Sequence, residues 1–165
     1  AAWLIKTSPI LSGVGLLIEV NMPFSTDSDL ADLVPDILEL GIVSFADKHA
    51  NAQADIEREL RIKWWPKKRL SFSDSHTYSE MDASKLVDSQ FTRASAYLVL
   101  WRYSLTQLTN WVQDDRFVQM IEFYKARYNE ELEAILDDGV EYDVDGSGTI
   151  TDYEKQPQNV NRLDR

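Results

Sequence analysis

The chain contains no cysteine, and only two of its 165 residues are histidine. The absence of cysteine excludes disulfides, thiolate zinc sites and cysteine nucleophiles, and it argues against a disulfide-stapled secreted fold. Basic residues are also scarce, since 17 lysines and arginines stand against 28 acids and leave a formal net charge of −11. This charge disfavours nucleic-acid binding, although it is compatible with a pore through which DNA slides without adhering.

Long apolar runs are missing as well. The apolar residues 10–20 follow the basic Lys6, as the apolar region of a signal peptide follows its basic region. However, Gly13, Gly15 and Glu19 interrupt this apolar run. The run is also too short to cross a bilayer. We therefore expect residues 1–24 to form an extended N-terminal arm or extension, and we expect no membrane association. Hydrophobic residues make up 44% of the chain, which is enough for one globular domain with its own core.

The first half of the chain predicts short helices. Ser25, Thr26 and Asp27 supply N-cap chemistry, and Pro35 divides the following apolar stretch into two short helices. Ser44 begins a weak capping box, and the helix that it opens carries one apolar stripe at spacings of four: Ala52, Ile56, Leu60 and Trp64. Pro66 ends this helix, and residues 66–85 are typical of a polar loop.

Two long helices are predicted in the second half. The first has an apolar seam at alternating spacings of three and four: Phe91, Ala94, Leu98, Trp101, Leu105, Leu108 and Val112. The second begins after Asp115, ends at Gly139, and carries the stripe Phe117, Ile121, Tyr124, Tyr128, Leu132 and Ile135. The sequence thus predicts a mainly α fold, in which residues 25–139 form a small helical bundle with two long antiparallel helices. Residues 140–165 form a C-terminal tail.

The tail contains the motif with the highest chemical specificity. Residues 143–154 match the twelve-residue calcium loop, with a glycine at position six where the chain must turn sharply. Oxygen donors stand at the required positions, and the predicted ligands are Asp143, Asp145, Ser147, Thr149, Thr151 and Glu154. The cofactor that this pattern predicts is Ca²⁺.

The flanking segments differ from those of an EF-hand. Residues 139–142 separate the loop from the preceding helix, and Pro157 leaves barely one turn for an exit helix. A single dockerin-type repeat also matches, but dockerins carry the loop in duplicate and only one copy is present. A calcium-sensing switch would need the missing paired-helix element. We therefore expect a local staple that orders the tail, and a calcium-dependent binding module of cellular origin remains the alternative.

Catalytic motifs are absent from the sequence. There is no Gly-x-Ser-x-Gly elbow, phosphate-binding glycine loop or His-Glu-x-x-His helix. His49 and His76 stand without the partners of a ligand set, and we expect His49 on a helix surface and His76 in a loop. The sequence therefore predicts that the protein is not an enzyme.

A basic cluster is conspicuous in this acidic chain. Five basic residues surround two tryptophans, and the cluster consists of Arg61, Lys63, Trp64, Trp65, Lys67, Lys68 and Arg69. Adjacent helical residues point about 100° apart, so we expect one tryptophan at a surface that meets a partner. Contact with the acidic face of an identical subunit would be head-to-tail, and such contacts close into a ring when the rotation allows.

The order of segments resembles that of the head-tail adaptor (connector, or neck) proteins of tailed bacteriophages. An acidic helical segment is followed by Ala-x-Ala-Asp-Ile-x-Arg-x-Leu-Arg-Ile-x-Trp-Trp-Pro at residues 52–66 and by a polar loop. The helix with Ala-Tyr-Leu-Val-Leu comes next, then Phe-x-x-x-x-x-Phe-Tyr-x-x-Arg-Tyr-x-x-Glu-Leu at residues 117–132, and then the Tyr-Asp-x-Asp-Gly-Ser-Gly tail. The resemblance covers residues 24–155.

The resemblance implies a structural virion protein without enzymatic activity. Adaptors of this kind form a homo-oligomeric ring, commonly of twelve copies, beneath the portal, and DNA passes through the lumen without sequence-specific binding. Expected partners are the portal protein and the tail or neck proteins, and the expected location is the virion neck after synthesis in the host cytoplasm. The resemblance further implies that residues 142–165 form a tail that docks on the portal, and that the basic cluster makes inter-subunit or portal contacts.

Overall fold

The computed structural model describes residues 22–71, 80–109 and 115–155. Helix accounts for 65% of these residues and none of them forms a strand, so the prediction of a mainly α fold is confirmed. The α-helices are α1 (Asp27–Leu33), α2 (Ala46–Lys63), α3 (Trp65–Lys68), α4 (Asp88–Leu98), α5 (Leu105–Leu108) and α6 (Arg116–Asp138). A π-helical segment, Val99–Ser104, joins α4 to α5 without a break.

Helix α1 begins at a capping box. The carboxylate of Asp29 accepts hydrogen bonds from the backbone N–H and the hydroxyl of Thr26, at 2.7 and 2.8 Å. The prediction of a second short helix after Pro35 is wrong, because residues 35–39 form turns. Ile37 is nevertheless fully buried there, so the turn still contributes its apolar side chain to the core.

Helix α2 carries the predicted apolar stripe, and all four members of that stripe are buried. The start of α2 differs from the prediction, because Phe45 is the N-cap and makes no side-chain cap. The hydroxyl of Ser44 instead donates to Asp27 at 2.7 Å, and the same carboxylate accepts the Phe45 N–H at 3.0 Å. The ends of α1 and α2 are thereby tied together.

Both tryptophans at the end of α2 are buried, so the prediction that one lies at the surface is wrong. Trp64 is 1% exposed and Trp65 is 4% exposed. Helix α2 ends at Lys63, and Trp65 begins the separate helix α3, in which Pro66 occupies the first turn. The break removes the 100° offset between adjacent residues of a single helix, and both rings therefore reach the core.

The π-helical segment explains a departure from the predicted apolar seam. Phe91, Ala94, Leu98 and Leu105 are buried as expected, whereas Trp101 and Leu108 are only partly buried. Wider π-helical turns shift the register, and the adjacent residues Val99 and Leu100 are both fully buried. Val112, the last predicted member of the seam, lies outside the described residues.

Helix α6 has the ends that the sequence predicts. The carboxylate of Asp115 accepts the N–H of Phe117 at 2.8 Å, and Gly139 ends the helix with a φ of 108°, a conformation that favours glycine. The predicted stripe packs inward, with Tyr124, Tyr128, Leu132 and Ile135 buried. Helix α4 packs against α6, and the Arg93–Glu131 ion pair spans the two helices at 3.7 Å.

The segment that follows α6 packs onto the helices. Val140 and Tyr142 are fully buried, and Tyr142 forms an isolated antiparallel bridge with Leu86. The Tyr142 ring lies 5.6 Å from Trp64 and 5.3 Å from Trp65, measured between centroids. Val140 and Tyr142 therefore share the core of the helices. Residues 1–21 of the predicted arm at 1–24, and residues 156–165 of the predicted tail at 140–165, lie outside the described residues.

None of the described helices combines the length and the apolarity needed to cross a membrane.

Candidate metal centre

Residues 143–154 form a loop in which acidic oxygens converge. One carboxylate oxygen from each of Asp143, Asp145 and Glu154 lies within 4.8 Å of the other two. Gly148, at position six, has a φ of 74°, and Gly146 has a φ of 72°. The left-handed backbone at these glycines turns the chain sharply enough to bring positions one, three and twelve together.

All three carboxylates accept hydrogen bonds, and those to Asp143 and Glu154 shift the pKa of the acid. The N–H groups of Gly148 and Ser147 donate to Asp143 at 2.7 and 3.0 Å, and these bonds lower the pKa of Asp143. Glu154 is 3% exposed, and the N–H of Thr151 leads the hydrogen bonds that lower its pKa. Both carboxylates are therefore ionised at neutral pH, as hard cation ligands must be.

Glu154 joins the two ends of the loop. Its Oε1 atom accepts the N–H of Val144 at 2.8 Å, while Oε2 accepts the N–H and the hydroxyl of Thr151 at 3.0 and 2.8 Å. A carboxylate offers about four lone-pair sites, so oxygen valences remain for a cation. Position twelve is thus held by hydrogen bonds from both ends of the loop.

The neutral donors lie beside the carboxylates. The N–H of Ser147 donates to Asp145 at 2.9 Å, and the Ser147 hydroxyl donates to the carbonyl of Thr149 at 3.2 Å. The structure thus brings all six predicted ligand residues into one hydrogen-bonded loop. Only Glu154 is buried, and the rest of the loop faces solvent. An arrangement of hard oxygen donors at the surface suits a calcium-type ion.

Three lysines hold the loop against the helices, and the sequence analysis missed this role. Lys68 donates to the carbonyls of Tyr153 and Glu154 at 2.8 and 3.2 Å, and Lys85 donates to the carbonyl of Val144 at 2.5 Å. Lys155 pairs with Asp138 and Glu141 at 2.9 and 3.1 Å. The hydrogen bond from Lys68 to the carbonyl of Tyr153 joins residues that are 85 positions apart, so no local spacing in the sequence could have indicated it.

The predicted interface cluster is divided by the fold. Trp64, Trp65 and Lys68 are buried and cannot form a surface contact in this conformation. The remaining members, Arg61, Lys63, Lys67 and Arg69, are exposed. Arg61 pairs with Glu57 at 3.0 Å and Lys63 with Glu59 at 2.6 Å, so both already have partners within α2.

His49 is buried, so its predicted place on a helix surface is wrong. Its Nδ1 atom lies 2.8 Å from the Ser25 hydroxyl, and its Nε2 atom lies 3.1 Å from Asp27. Ser25 also lies 2.8 Å from the hydroxyl of Ser95, which adds α4 to the network. These are the residue types of a hydrolase triad, but Ser25 and His49 are each 1% exposed. The network therefore ties α1, α2 and α4 together. His76 lies outside the described residues.

Asp27 gives this network an acid-sensitive contribution to stability. Burial alone would raise the pKa of Asp27, but hydrogen bonds from Ser44, the Phe45 N–H and His49 outweigh it and lower the pKa. A depressed folded-state pKa stabilises the fold above the ordinary aspartate pKa of about 3.9, and the effect is lost as the pH falls through the folded-state value.

We expect Asp27→Asn to lower the free energy of unfolding at pH 7 by about 1–2 kcal/mol, because charge-assisted hydrogen bonds are lost. The difference from wild type should narrow below about pH 4, where the wild-type carboxylate also becomes protonated. Urea denaturation at pH 7 and pH 3 measures the difference in the free energy of unfolding between the variant and wild type at each pH. Asp32→Asn, at an exposed position of the same helix, is the control. An equal deficit at the two pH values would contradict the prediction.

The chain matches no protein-family model, and neither a curated protein nor a solved structure is found to be similar to it.

Proposed function

We propose that this chain is a non-enzymatic structural protein that binds one Ca²⁺ in residues 143–154 and assembles into a ring as a head-tail adaptor of a tailed bacteriophage. The observation that carries the calcium site is the convergence of three hydrogen-bonded carboxylates around a turn with glycine at position six. Ca²⁺ takes six to eight oxygen ligands, and Asp, Ser, Thr and Glu supply oxygens here.

The adaptor proposal is supported by the order of segments in the sequence and by the distribution of charge. A net charge of −11 would give a ring an acidic lumen, through which DNA passes without adhering. The expected partners are further copies of the chain, the portal protein and the tail or neck proteins, and the expected location is the virion neck. The helices would form a small bundle with the long pair antiparallel.

That antiparallel arrangement is supported by contacts at both ends of the two long helices. Gln90, at the start of α4, donates to the carbonyl of Gly139 at 2.9 Å, beyond the end of α6. Thr109, just after α5, donates to Asp115 at 2.5 Å, at the start of α6. A subunit with its long helices side by side can present one helical edge to each neighbour in a ring.

The exposed basic residues supply the proposed contact between subunits. Within the described part of the chain Lys67 and Arg69 form no ion pair, and Leu70 beside them is a largely exposed apolar side chain. Exposed acids follow one face of α6: Glu122, Glu130, Glu133 and Asp137. We call Lys67 and Arg69 the basic edge and these four acids of α6 the acidic edge. A basic edge that faces the acidic edge of the next subunit gives a head-to-tail contact of the kind that closes into rings.

Reversing the basic edge should weaken assembly. We expect Lys67→Glu with Arg69→Glu to raise the concentration needed for assembly at least tenfold, because like charges would face each other across the contact. Sedimentation velocity over a range of concentrations measures the change. Arg116→Glu with Lys125→Glu on α6 produces the same change in net charge at two exposed positions outside the two edges and should leave assembly nearly unchanged. Equal behaviour of both double variants would contradict the proposed edge.

A calcium-dependent binding module of cellular origin is the second candidate, and the same carboxylate cluster favours it. Such a module would bind calcium as a monomer and would ignore a portal protein. Calcium binding without assembly would therefore favour this candidate over the adaptor.

A further inference from the structure

Lys68 is an unusual element of the proposed calcium centre because it is a buried cation beside a cation site. The side chain is only 5% exposed, and its ammonium donates to the carbonyls of Tyr153 and Glu154 at 2.8 and 3.2 Å. Burying an ammonium is costly unless hydrogen bonds or charges compensate it. The main chain that carries the closing ligand of the loop contributes to this compensation, and so does the negative charge of the Glu154 side chain.

Further contacts join Tyr153 to the segment that contains Lys68. The Tyr153 ring lies 5.3 Å from the ammonium, and the Tyr153 hydroxyl donates to the carbonyl of Ser71 at 2.8 Å. The hydroxyl of Ser71 in turn donates to the carbonyl of Lys68 at 2.6 Å. The end of the loop is thereby fastened to the segment containing α3.

We infer that Lys68 is a positioning residue of the loop, which holds the main chain of residues 153–154 against α3 and so places the Glu154 carboxylate for the ion. This inference rests on the proposed calcium binding. Lys68 donates to the main chain of Glu154, so the ligand oxygens of that residue stay available.

Two opposite effects act on calcium affinity when Lys68 is removed. The loss of a nearby positive charge would strengthen cation binding, because like charges repel. The loss of two charge-assisted hydrogen bonds would release the loop end and weaken binding, and each such bond contributes more than a neutral one. The contacts at Lys68 are to carbonyl oxygens within hydrogen-bond distance, so we expect the positioning effect to dominate.

The test is calorimetric titration of Ca²⁺ into the full chain carrying Lys68→Met, with Lys125→Met as the control. We expect Lys68→Met to bind Ca²⁺ about tenfold more weakly than wild type. The control loses the same charge at an exposed position of α6 and should bind nearly as wild type does. Unchanged or tighter binding by Lys68→Met would overturn the inference, because repulsion would then outweigh positioning.

Hydrogen exchange without calcium separates this inference from the calcium proposal. In a chelator, Lys68→Met should exchange amides of residues 143–155 about tenfold faster than wild type, whereas the exchange of α6 amides should be unaffected. A wild-type protein that releases no heat on titration with Ca²⁺ would contradict the proposed calcium site. Unchanged amide exchange in Lys68→Met would contradict the positioning role. If Lys68→Met does not fold, Tyr153→Phe removes the hydrogen bond to Ser71 from a side chain that is 45% exposed, and it should give a smaller acceleration in the same segment.

Discussion

Replacing Trp64 with alanine is expected to lower the free energy of unfolding by about 3–5 kcal/mol. The side chain is almost completely buried, and its ring lies 5.8 Å from that of Trp65 and 5.6 Å from that of Tyr142. Removing an indole from this cluster leaves a cavity that the remaining rings fill only partly. Because a domain has about 5–15 kcal/mol of stability in total, the variant should be close to unfolding.

Urea denaturation of the full chain measures this loss, with Ile62→Ala as the control. Ile62 lies two residues before Trp64 but is 69% exposed, so its truncation should change stability by less than about 0.5 kcal/mol. A loss for Trp64→Ala that is no larger than that of the control would mean that the tryptophan is not in the core.

Asp143→Ala is expected to weaken calcium binding by more than about a hundredfold. Asp143 is the first ligand position, and it also holds the Ser147 and Gly148 N–H groups that shape the turn. The substitution therefore removes a charged ligand and the hydrogen bonds that close the loop around the ion. Calorimetric titration gives the affinity of each protein.

The control for Asp143→Ala is Asp152→Ala. Asp152 is an exposed acid in the same loop, at position ten, which supplies no ligand in this pattern. Both variants lose one negative charge, so the general attraction of the loop for cations falls by a similar amount. Equal affinities for the two variants would show that Asp143 does not coordinate the ion.

The parts of the fold that were predicted correctly are those with a local cause. The stripe on α2 follows from a spacing of four, and the limits of α6 follow from Asp115 and Gly139, whose capping chemistry acts on adjacent residues. The π-helical segment after Leu98 has no such local signal. It depends on how Val99 and Leu100 pack against other elements, and tertiary contacts therefore shifted the apolar seam.

Two errors have the same origin. The sequence placed Trp64 and Trp65 on one helix and His49 on a surface, because each judgement assumed the geometry of a continuous helix. The break after Lys63 and the polar contacts of His49 with Ser25 and Asp27 join segments distant in the chain. A spacing pattern carries no information on such contacts.

The same distinction between local and long-range causes applies to the candidate site. Its loop was predictable because the twelve positions are contiguous, and the structure brings Asp143, Asp145 and Glu154 together as the pattern requires. The lysines that hold the loop come from other elements, and their part depends on packing that spacing does not encode.

Native mass spectrometry of the wild-type chain with Ca²⁺, alone and mixed with the portal protein of the same genome, tests the central claim most directly. The proposed function predicts a ring-sized species, or portal particles that gain a fixed symmetric number of copies, with one calcium ion retained per subunit. A protein that remains monomeric, ignores the portal and retains no calcium would contradict it.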